Sequence, residues 1–407
     1  MKTILSILAV VFLSSAANAQ WVLQTSGTGF DLFSASFPSA NTGFACGYGN
    51  HLIKTTDGGA NWIDISFPST ASNLNTIFFV NDNTGWLCST DTLRYTTNSG
   101  LSWITKITPI HGRELFFVNA LTGWLNTGQS ILRTTNGGVN WNTTAFTSDG
   151  ELFFVNALTG WTSLYMSGNC TIYKSTSGGI NWAPQFTTAN FHNIYAFYFI
   201  NENTGWATGY RETILKTTNG GVNWVFQRDI SGGSGLYSAY FMDANTGWVV
   251  GDLTVLGSNA LSTTNGGANW SPSNVSSGRM TKIQFVNSAT GWMVGQYNRV
   301  YKTTNNGGLT SVTKNNNQVP DKYALYQNYP NPFNPETNIK FQISESDDVN
   351  LSVFDILGRK ISTLVNECLS PGTYEVKWNA SDYPSGIYYY KFQAGDYSET
   401  KKMILLK

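Results

Sequence analysis

Two glutamates at equivalent positions of a repeated motif are the residues of this chain best suited to acid–base chemistry. Glu114 and Glu151 each begin the sequence Glu-Leu-Phe-Phe-Val-Asn. Two carboxyl groups roughly 5 to 9.5 Å apart can supply the two carboxyl roles of glycoside hydrolysis. Duplication of a structural repeat explains such similar copies equally well. We therefore predict no catalytic residue, and we keep Glu114 and Glu151 as the candidates for the enzymatic alternative.

The remaining polar side chains point to no particular reaction. Arg113, which precedes Glu114, and Lys282 are the candidates for ligand binding. The three histidines occupy unrelated repeat positions, so we predict no metal site. No helix follows the glycine-rich turns, which argues against a phosphate-binding loop. We predict no cofactor.

The four cysteines are too few and too scattered for a disulfide framework. Cys46 and Cys88 both lie two residues after a Thr-Gly-aromatic motif, at equivalent positions of neighbouring repeats. A bridge between them could form in an oxidising compartment, but we expect free buried thiols.

Two alternating signatures must position these side chains. The first is a glycine-rich turn of the type Thr-Thr-Asp/Asn-Gly-Gly-x-Asn-Trp, with Asp57 and Gly58 in its first copy. It ends at Trp62, Trp103, Trp141, Trp182, Trp224 and Trp270, and a degenerate seventh copy follows at 302–311. The second signature, Thr-Gly-aromatic, ends at Phe44, Trp86, Trp124, Trp161, Trp206, Trp248 and Trp292. The two signatures recur with a period of about forty residues, which indicates a propeller, a solenoid or an array.

Each repeat contains four short strand-like runs and no helical periodicity. In residues 74–107, runs rich in β-branched and aromatic residues alternate with Asn, Asp, Ser and Gly turns. Four short antiparallel strands per repeat are typical of a propeller blade. The sequence predicts an all-β chain with a seven-bladed β-propeller over 20–313, in which Asp57, Gly58 and the repeated tryptophans are structural.

Trp21 supplies the missing member of the tryptophan set. The seventh turn has Ser311 where the other turns have tryptophan, and Trp21 precedes Phe44 at nearly the spacing that separates Trp62 from Trp86. We therefore predict that residues 21–24 form the fourth strand of the last blade. Closure of this kind removes exposed strand edges.

Alignment on the Thr-Gly-aromatic motif places one residue of each repeat in a row at the start of the first strand. First strands line the axial channel of a propeller, so we expect this row to face the axis. The row is Ser34, Thr76, Glu114, Glu151, Ala196, Ser238 and Lys282.

The chain begins with a predicted secretory signal peptide at 1–19. A basic Lys2, an apolar run and Ala17-Asn18-Ala19 have the order of such a signal, and the apolar run is too short to span a membrane. Lys plus Arg and Asp plus Glu both number 24, which argues against a nucleic-acid partner. We expect an exported protein without a transmembrane segment.

Composition changes after a polar spacer at 314–322, which we interpret as a linker. Six strand-like runs follow in 323–407, separated by turn signals, and predict a small Ig-like β-sandwich. The runs cover 338–343, 350–355, 360–365, 372–378, 386–392 and 400–406.

Residues 323–407 resemble the type A C-terminal sorting domain of type IX (Por) secretion. The motifs are the proline-rich entry at 326–335, Val-Phe-Asp-Ile-Leu-Gly-Arg at 353–359, two glycine-led strand starts and the basic terminus. The corresponding sorting residues are Gly358, Arg359, Gly372, Gly386, Lys401, Lys402 and Lys407. The resemblance implies transport through the periplasm to the outer-membrane surface or the extracellular space, with the type IX machinery as partner.

The repeats resemble Asp-box (bacterial neuraminidase repeat) turns and, with the Thr-Gly-Trp motif, photosystem II stability/assembly factor propellers. Two functions remain in view. We expect a non-catalytic surface or secreted protein that binds a protein or glycan, with the loops 231–235 and 252–259 as contact sites. The alternative is a secreted glycoside hydrolase, since Asp-box propellers also occur in sialidases and glucanases.

Overall fold

The computed structural model describes residues 21–407 except 28, 68–71, 108–111, 145, 189–191, 274, 276–277, 309–311, 317–319, 370 and 381–382. One compact unit comprises Gln20–Ser311, and a second contains Val312–Lys407. The described residues form β-strands and three short 3₁₀ turns, Tyr48–Asn50, Tyr210–Glu212 and Asn306–Gly308, which confirms the predicted all-β class. The predicted signal peptide lies outside the described residues.

The first unit contains 28 strands among its described residues. In chain order they are β1 Val22–Gln24, β2 Leu32–Ser36, β3 Gly43–Gly47, β4 Leu52–Thr55, β5 Ile63–Asp64, β6 Leu74–Phe79, β7 Gly85–Ser89, β8 Leu93–Thr96, β9 Ile104–Ile107, β10 Glu114–Phe117, β11 Gly123–Asn126, β12 Ile131–Thr134, β13 Asn142–Thr143, β14 Phe153–Phe154, β15 Gly160–Met166, β16 Asn169–Ser175, β17 Ala183–Thr188, β18 Ile194–Phe199, β19 Gly205–Gly209, β20 Ile214–Thr217, β21 Val225–Arg228, β22 Leu236–Phe241, β23 Gly247–Gly251, β24 Ala260–Thr263, β25 Ser271–Pro272, β26 Met280–Phe285, β27 Gly291–Gly295 and β28 Val300–Thr303.

These strands form seven antiparallel four-stranded sheets within the described part of the unit. Six sheets are consecutive: β2–β5, β6–β9, β10–β13, β14–β17, β18–β21 and β22–β25. The seventh has the order β1-β28-β27-β26. The first strands contact one another in the cyclic order β2, β6, β10, β14, β18, β22, β26 and back to β2.

Neighbouring sheets are joined by stacked aromatic rings. The aromatic residue of each Thr-Gly-aromatic motif lies flat on a phenylalanine of the next sheet, with ring centroids 3.5 to 4.5 Å apart. The seven pairs are Phe44–Phe79, Trp86–Phe117, Trp124–Phe154, Trp161–Phe199, Trp206–Phe241, Trp248–Phe285 and Trp292–Phe37. Such pairs contribute roughly 0.5–1.5 kcal/mol each beyond the burial of their area.

The glycine of the same motif leaves room for that phenylalanine. At Gly123, a Cβ atom would lie 2.3 Å from Cδ1 of Phe117, which is closer than any side chain tolerates. The other six glycines of the motif face the equivalent ring of their own sheets at similar distances. The Thr-Gly-aromatic signature is therefore explained by packing: the glycine admits one ring, and the aromatic residue stacks on the ring of the next sheet.

Hydrogen bonds reinforce these contacts. The indole N–H of Trp124 donates to the Gly178 carbonyl of the next turn at 2.8 Å, and Trp292 of the seventh sheet donates to Gly58 of the first at 3.2 Å. Phe44 has no N–H to donate, and there Lys54 Nζ donates to the Ser99 carbonyl at 2.9 Å. One type of contact thus recurs around the unit, including the junction of its last and first sheets.

The glycine-rich turn is held by its own short side chains. The backbone N–H of Asn61 donates to Asp57 Oδ1 at 2.8 Å, and the N–H of Gly59 donates to Thr55 Oγ1 at 2.8 Å. The hydrogen bonds from the backbone and side chain of Asn61 and from Thr55 lower the pKa of Asp57 to about 2. Asparagine takes the aspartate position in other copies with the same backbone bonds, so the turn needs an acceptor rather than a charge.

Strand β1 pairs with β28, with Val22 opposite Lys302. Trp21 is 2% exposed and meets Phe285 edge to face, with centroids 5.6 Å apart. In each of the other six sheets, the tryptophan at the end of the turn packs in the same way on the phenylalanine of its own sheet. Trp21 therefore occupies the position that the sequence predicts for it.

The second unit contains two four-stranded sheets, β29-β34-β31-β30 and β33-β32-β35-β36. The strands are β29 Val312–Asn316, β30 Ala324–Leu325, β31 Glu336–Ile343, β32 Asp347–Phe354, β33 Lys360–Leu369, β34 Gly372–Asn379, β35 Gly386–Ala394 and β36 Tyr397–Leu405. Apolar residues of both sheets form one core that includes Val353, Val376 and Phe392. All six predicted strands are present.

The predicted linker at 314–322 is wrong in its first part. Residues 312–316 form β29, which pairs with β34 so that Thr313 lies opposite Glu375. The polar composition of this segment concealed the strand, because an edge strand pairs through its backbone and does not need an apolar face.

The predicted sorting residues lie at strand ends and turns of the second unit. Gly358 has a φ of +75°, and Arg359 Nε contacts Asp355 Oδ2 at 2.7 Å. Gly372 and Gly386 begin β34 and β35, while Lys401 and Lys402 lie in β36 and Lys407 is the last residue. Their role in sorting stays a prediction. Cys46, Cys88 and Cys170 are free and buried, so the possible bridge between Cys46 and Cys88 is not formed.

We expect Trp21→Ala to lower the free energy of unfolding of the first unit by about 3–5 kcal/mol, because it removes a buried ring that packs on Phe285. Urea unfolding followed by tryptophan fluorescence measures this, since every tryptophan except Trp378 belongs to the first unit. Leu23→Ala is the control: this side chain of β1 is 51% exposed, and its loss should change stability by about 0.5 kcal/mol or less. Equal effects of the two substitutions would contradict the account.

Candidate functional site

All seven residues of the predicted row line one cavity of ≈ 210 Å³ in the first unit. They come from the starts of the first strands, which contact one another in cyclic order. We call this set (Ser34, Thr76, Glu114, Glu151, Ala196, Ser238 and Lys282) the polar layer. The cavity is therefore the place where chemistry-bearing side chains from all seven sheets meet.

A second layer of the cavity is aromatic. Side chains two residues apart in a strand point to the same face. The residue two positions after each polar-layer residue therefore also lines the cavity. Adjacent rings lie with centroids 4.8 to 5.7 Å apart. This aromatic layer consists of Phe78, Phe116, Phe153, Tyr198 and Tyr240, and Ser36 and Gln284 occupy the remaining two positions.

Lys282 brings the charges of the polar layer together. Its Nζ lies 3.8 Å from Oε1 of Glu114 and 3.8 Å from Oε1 of Glu151. These contacts are ionic rather than hydrogen-bonded, since hydrogen bonds between such groups are shorter than about 3.2 Å. Glu114 and Glu151 lie in the third and fourth sheets and Lys282 in the seventh, so the cluster crosses the ring of first strands. The three side chains retain 15 to 29% exposure because they face the cavity.

Burial and mutual repulsion shift the ionisation of this cluster. Burial raises the pKa of Glu114, and Lys282 opposes part of that rise. Burial and the charge of Glu114 together raise the pKa of Glu151 well above its usual range. Burial alone would lower the pKa of Lys282, but the two carboxylates raise it instead. Lys282 therefore stays an ammonium, and one carboxyl group of the pair tends to keep a proton.

Arg113 does not join this cluster. Its side chain is exposed, its guanidinium lies against Gly128, and it is not among the residues that line the cavity. Although Arg113 is adjacent to Glu114 in sequence, successive side chains of a strand point to opposite faces. Of the two predicted binding candidates, only Lys282 lies with the glutamates.

A second group of polar side chains lies next to the polar layer. Tyr195 and Tyr237, which immediately precede Ala196 and Ser238, stack with centroids 5.0 Å apart. The Arg279 guanidinium lies 4.6 Å from the centroid of the Tyr237 ring, and its Nε donates to Asp252 Oδ1 at 2.8 Å. The Tyr237 hydroxyl donates to Asp252 Oδ2 at 2.9 Å. We call these four residues the aromatic–arginine cluster.

The two loops predicted as contact sites meet beside this cluster. Ser234 Oγ donates to the Leu253 carbonyl at 2.8 Å, and the buried Glu212 carboxylate accepts the Val255 N–H at 2.7 Å. Leu253 and Val255 leave 59% and 62% of their surface exposed. Loop 252–259 thus has a fixed backbone and presents apolar side chains to solvent.

Sequence reasoning found the polar layer. It missed the aromatic layer, the contacts of Lys282 with both glutamates and the aromatic–arginine cluster. Period-two alternation from the aligned row would have identified the aromatic layer. The contact of Lys282 with both glutamates and the aromatic–arginine cluster join distant sheets, and no local pattern signals them. The described residues contain no group of three or more His, Cys, Asp or Glu side chains arranged to hold a metal ion. Within them there is also no helix with the length and apolar character needed to cross a membrane.

Residues 327–406 match the family model described as the secretion system C-terminal sorting domain. This match indicates that the chain is exported to the cell surface by type IX secretion, as the sequence predicts. Residues 185–308 match the model of the photosynthesis system II assembly factor YCF48. A search of curated proteins finds no significant match.

Solved structures with similar folds are propellers of low sequence identity. A structure of YCF48 bound to D1 peptide has a TM-score of 0.58 at 18% identity, over 70% of this chain and 97% of that one. YCF48 from Cyanidioschyzon merolae has a TM-score of 0.57 at 18% identity, over 70% of this chain and 98% of that one. PorZ, a surface component of the type IX secretion system of Porphyromonas gingivalis, has a TM-score of 0.54 at 13% identity, over 94% of this chain and 60% of that one. At these identities the likeness shows the fold, which is of the propeller type.

The raised pKa of Glu151 gives a testable dependence of stability on pH. Above its ordinary value of 4.5, the folded chain holds a proton that the unfolded chain has lost, so the contribution of this group to stability falls as pH rises through that window. The Glu151→Gln variant cannot ionise. We therefore expect its free energy of unfolding, relative to the parent, to increase as the pH rises above 4.5.

Urea unfolding followed by tryptophan fluorescence at several pH values provides this difference. Glu202→Gln, which removes an exposed carboxyl group from the same unit, is the matched control. A relative stability of Glu151→Gln that stays constant or declines with pH would show that Glu151 is not held neutral by its surroundings.

Proposed function

We propose that the exported chain is a seven-bladed propeller, closed by its N-terminal strand and followed by an Ig-like sorting domain, that binds a protein or glycan without catalysis. The observation that carries the non-catalytic assignment is the position of Lys282. Its ammonium lies in ionic contact with both carboxyl groups that acid–base chemistry would need.

Several contacts support the seven-bladed, closed arrangement. The described part of the first unit contains seven four-stranded sheets, seven stacked aromatic pairs between neighbouring sheets and a cyclic series of first-strand contacts. The pairing of β1 with β28 gives the last sheet the same strand number as the others. The two facing four-stranded sheets of the second unit support an Ig-like sandwich.

The aromatic–arginine cluster and loop 252–259 are the proposed ligand surface. Tyrosine and arginine are enriched among the residues that dominate binding energy, because they bury large areas and keep polar groups available. Asp252 fixes both the Tyr237 hydroxyl and the Arg279 guanidinium, so the surface loses little side-chain entropy on binding. Arg279 still has 41% of its side chain exposed. The structure of YCF48 with a bound peptide makes peptides the first class of ligand to test on this propeller.

The geometry favours the glycoside hydrolase alternative less. Hydrolysis requires one carboxyl group on each side of a scissile bond, at roughly 5 to 9.5 Å from each other. Here the Lys282 ammonium lies 3.8 Å from both groups and lowers their ability to act as an acid and a base. The arginines also make separate pairs, Arg228 with Glu212, Arg279 with Asp252 and Arg211 with Asp229, rather than a shared triad of the sialidase type.

The test combines binding and turnover on one preparation. The purified protein is screened on peptide and glycan arrays and, in parallel, for hydrolysis of polysaccharides and sialosides. We expect binding without turnover, and at least about tenfold weaker binding by Arg279→Ala, which corresponds to roughly 1.4 kcal/mol.

Arg359→Ala is the matched control, because it removes an arginine that pairs with a carboxylate in the second unit. Equal loss by both variants would show that the ligand does not use the proposed surface. Turnover that disappears in both Glu114→Gln and Glu151→Gln would replace the binding assignment with the hydrolase.

A further inference from the structure

The axial cavity has the dimensions of a site for a small molecule. Its volume of ≈ 210 Å³ is below the roughly 300–1,000 Å³ of pockets that hold drug-sized ligands. A folded protein or an oligosaccharide chain cannot enter such a space, so the cavity is distinct from the loop surface proposed above. Whatever it binds must suit two layers of different chemistry, one polar and one aromatic.

The polar layer has one more acid than base. Glu114 and Glu151 face a single ammonium, that of Lys282, whose Nζ lies 3.8 Å from Oε1 of each. The other titratable groups that line the cavity are Tyr198 and Tyr240, and burial raises the pKa of both, so they remain neutral. The remaining polar-layer residues are uncharged. An unmatched buried carboxylate is costly, so the cluster must take up either a proton or a cation.

The aromatic layer limits what that cation can be. Five rings in edge contact present π faces and no oxygen ligands apart from the two tyrosine hydroxyls. Divalent metals of the Ca²⁺ type prefer about six to eight oxygen ligands around one point, and the described residues contain no group of three or more His, Cys, Asp or Glu side chains arranged to hold a metal ion. Organic cations, in contrast, are attracted to aromatic faces as well as to carboxylates. An anionic ligand would meet two carboxyl groups and a single ammonium in the polar layer.

We propose that the cavity binds a small organic monocation, a primary ammonium attached to an aromatic or aliphatic group. The ammonium lies in the polar layer, where it takes the place of the proton that the glutamate pair otherwise keeps. The apolar group packs against the aromatic layer, with Phe116 and Phe153 directly beyond the two glutamates on the same strands. Three hydrogen-bond donors of a primary ammonium match the oxygens of Glu114, Glu151 and the neighbouring hydroxyl groups.

Two sources offer this chemistry: a free amine and the amino-terminal residue of a peptide. Both present one ammonium next to an apolar side group. The polar layer lies at the end of the cavity near Tyr195 and Tyr237, which immediately precede its members Ala196 and Ser238. A ligand that enters from this end would present its apolar group first and leave its ammonium at the polar layer.

The experiment is calorimetric titration of the purified full chain with three molecules of nearly equal shape: phenethylamine, 2-phenylethanol and 3-phenylpropionate. We expect phenethylamine to bind at least about tenfold more tightly than the alcohol, and the propionate not to bind. Equal affinity for amine and alcohol, or no binding of the amine at millimolar concentration, would overturn the proposal. Phe-Gly-Gly with a free and with an acetylated amino terminus forms the second arm. Binding of only the free form identifies peptide termini as a source, and binding of phenethylamine alone identifies free amines.

The variants test the charge argument in opposite directions. Glu151→Gln balances the cluster at one carboxylate and one ammonium, and should weaken phenethylamine binding at least about tenfold. Lys282→Met leaves two carboxylates unmatched and should retain or strengthen it. Lys282→Met removes a buried partner of the glutamates, so the folding of this variant is checked by tryptophan fluorescence. If Lys282→Met does not fold, the result for Glu151→Gln alone decides the test.

Arg279→Ala separates this site from the loop surface, because it should leave phenethylamine affinity unchanged even where it abolishes binding of the larger ligand. Loss of amine binding in Arg279→Ala, or undiminished binding in Glu151→Gln, would contradict the proposed cavity site.

Discussion

The aromatic stack between neighbouring sheets is the contact on which the rest of the first unit depends. Each sheet has only four short strands, and its two faces cannot form a core alone. The ring of the Thr-Gly-aromatic motif lies on a phenylalanine of the next sheet, and the glycine beside it makes room for the phenylalanine of its own sheet. The same contact joins the last sheet to the first through Trp292 and Phe37. The first and last sheets are therefore joined in the same way as the other neighbouring sheets. Every sheet then has two neighbouring sheets.

This arrangement determines which side chains can act together. The first strands converge, so residues that are far apart in sequence line one cavity, and strand alternation sorts them into a polar and an aromatic layer. The same convergence that buries Glu114 and Glu151 also brings Lys282 to them from across the ring. Glu114 and Glu151 thereby become part of a three-membered ionic cluster. The aromatic–arginine cluster is partly exposed, and it lies beside loop 252–259.

Much of this arrangement could be predicted from the sequence because the repeated motifs can be aligned with one another. The spacing of Trp21 from Phe44 identified the strand that completes the last sheet, and alignment on one motif identified all seven members of the polar layer. What sequence could not give was the set of contacts across the ring. The pairing of Lys282 with two glutamates joins sheets that are distant in sequence. Adjacency in the chain also does not determine side-chain direction, so the sequence could not show that Arg113 lies outside the cavity that Glu114 lines. Strand β29 was missed for a different reason, since the polar composition of this segment is typical of a linker.

A double-mutant cycle between Glu151 and Lys282 tests the central claim most directly. These residues belong to the fourth and seventh sheets, and the contacts between the first strands bring them within 3.8 Å. Stabilities of the parent, Glu151→Gln, Lys282→Met and the double variant would be measured by urea unfolding at neutral pH. The account predicts a coupling free energy of at least about 0.5 kcal/mol, because residues in contact interact by roughly 0.5–3 kcal/mol. Additive effects within about 0.3 kcal/mol would mean that the two side chains do not meet, and the cavity that both are said to line would be wrong.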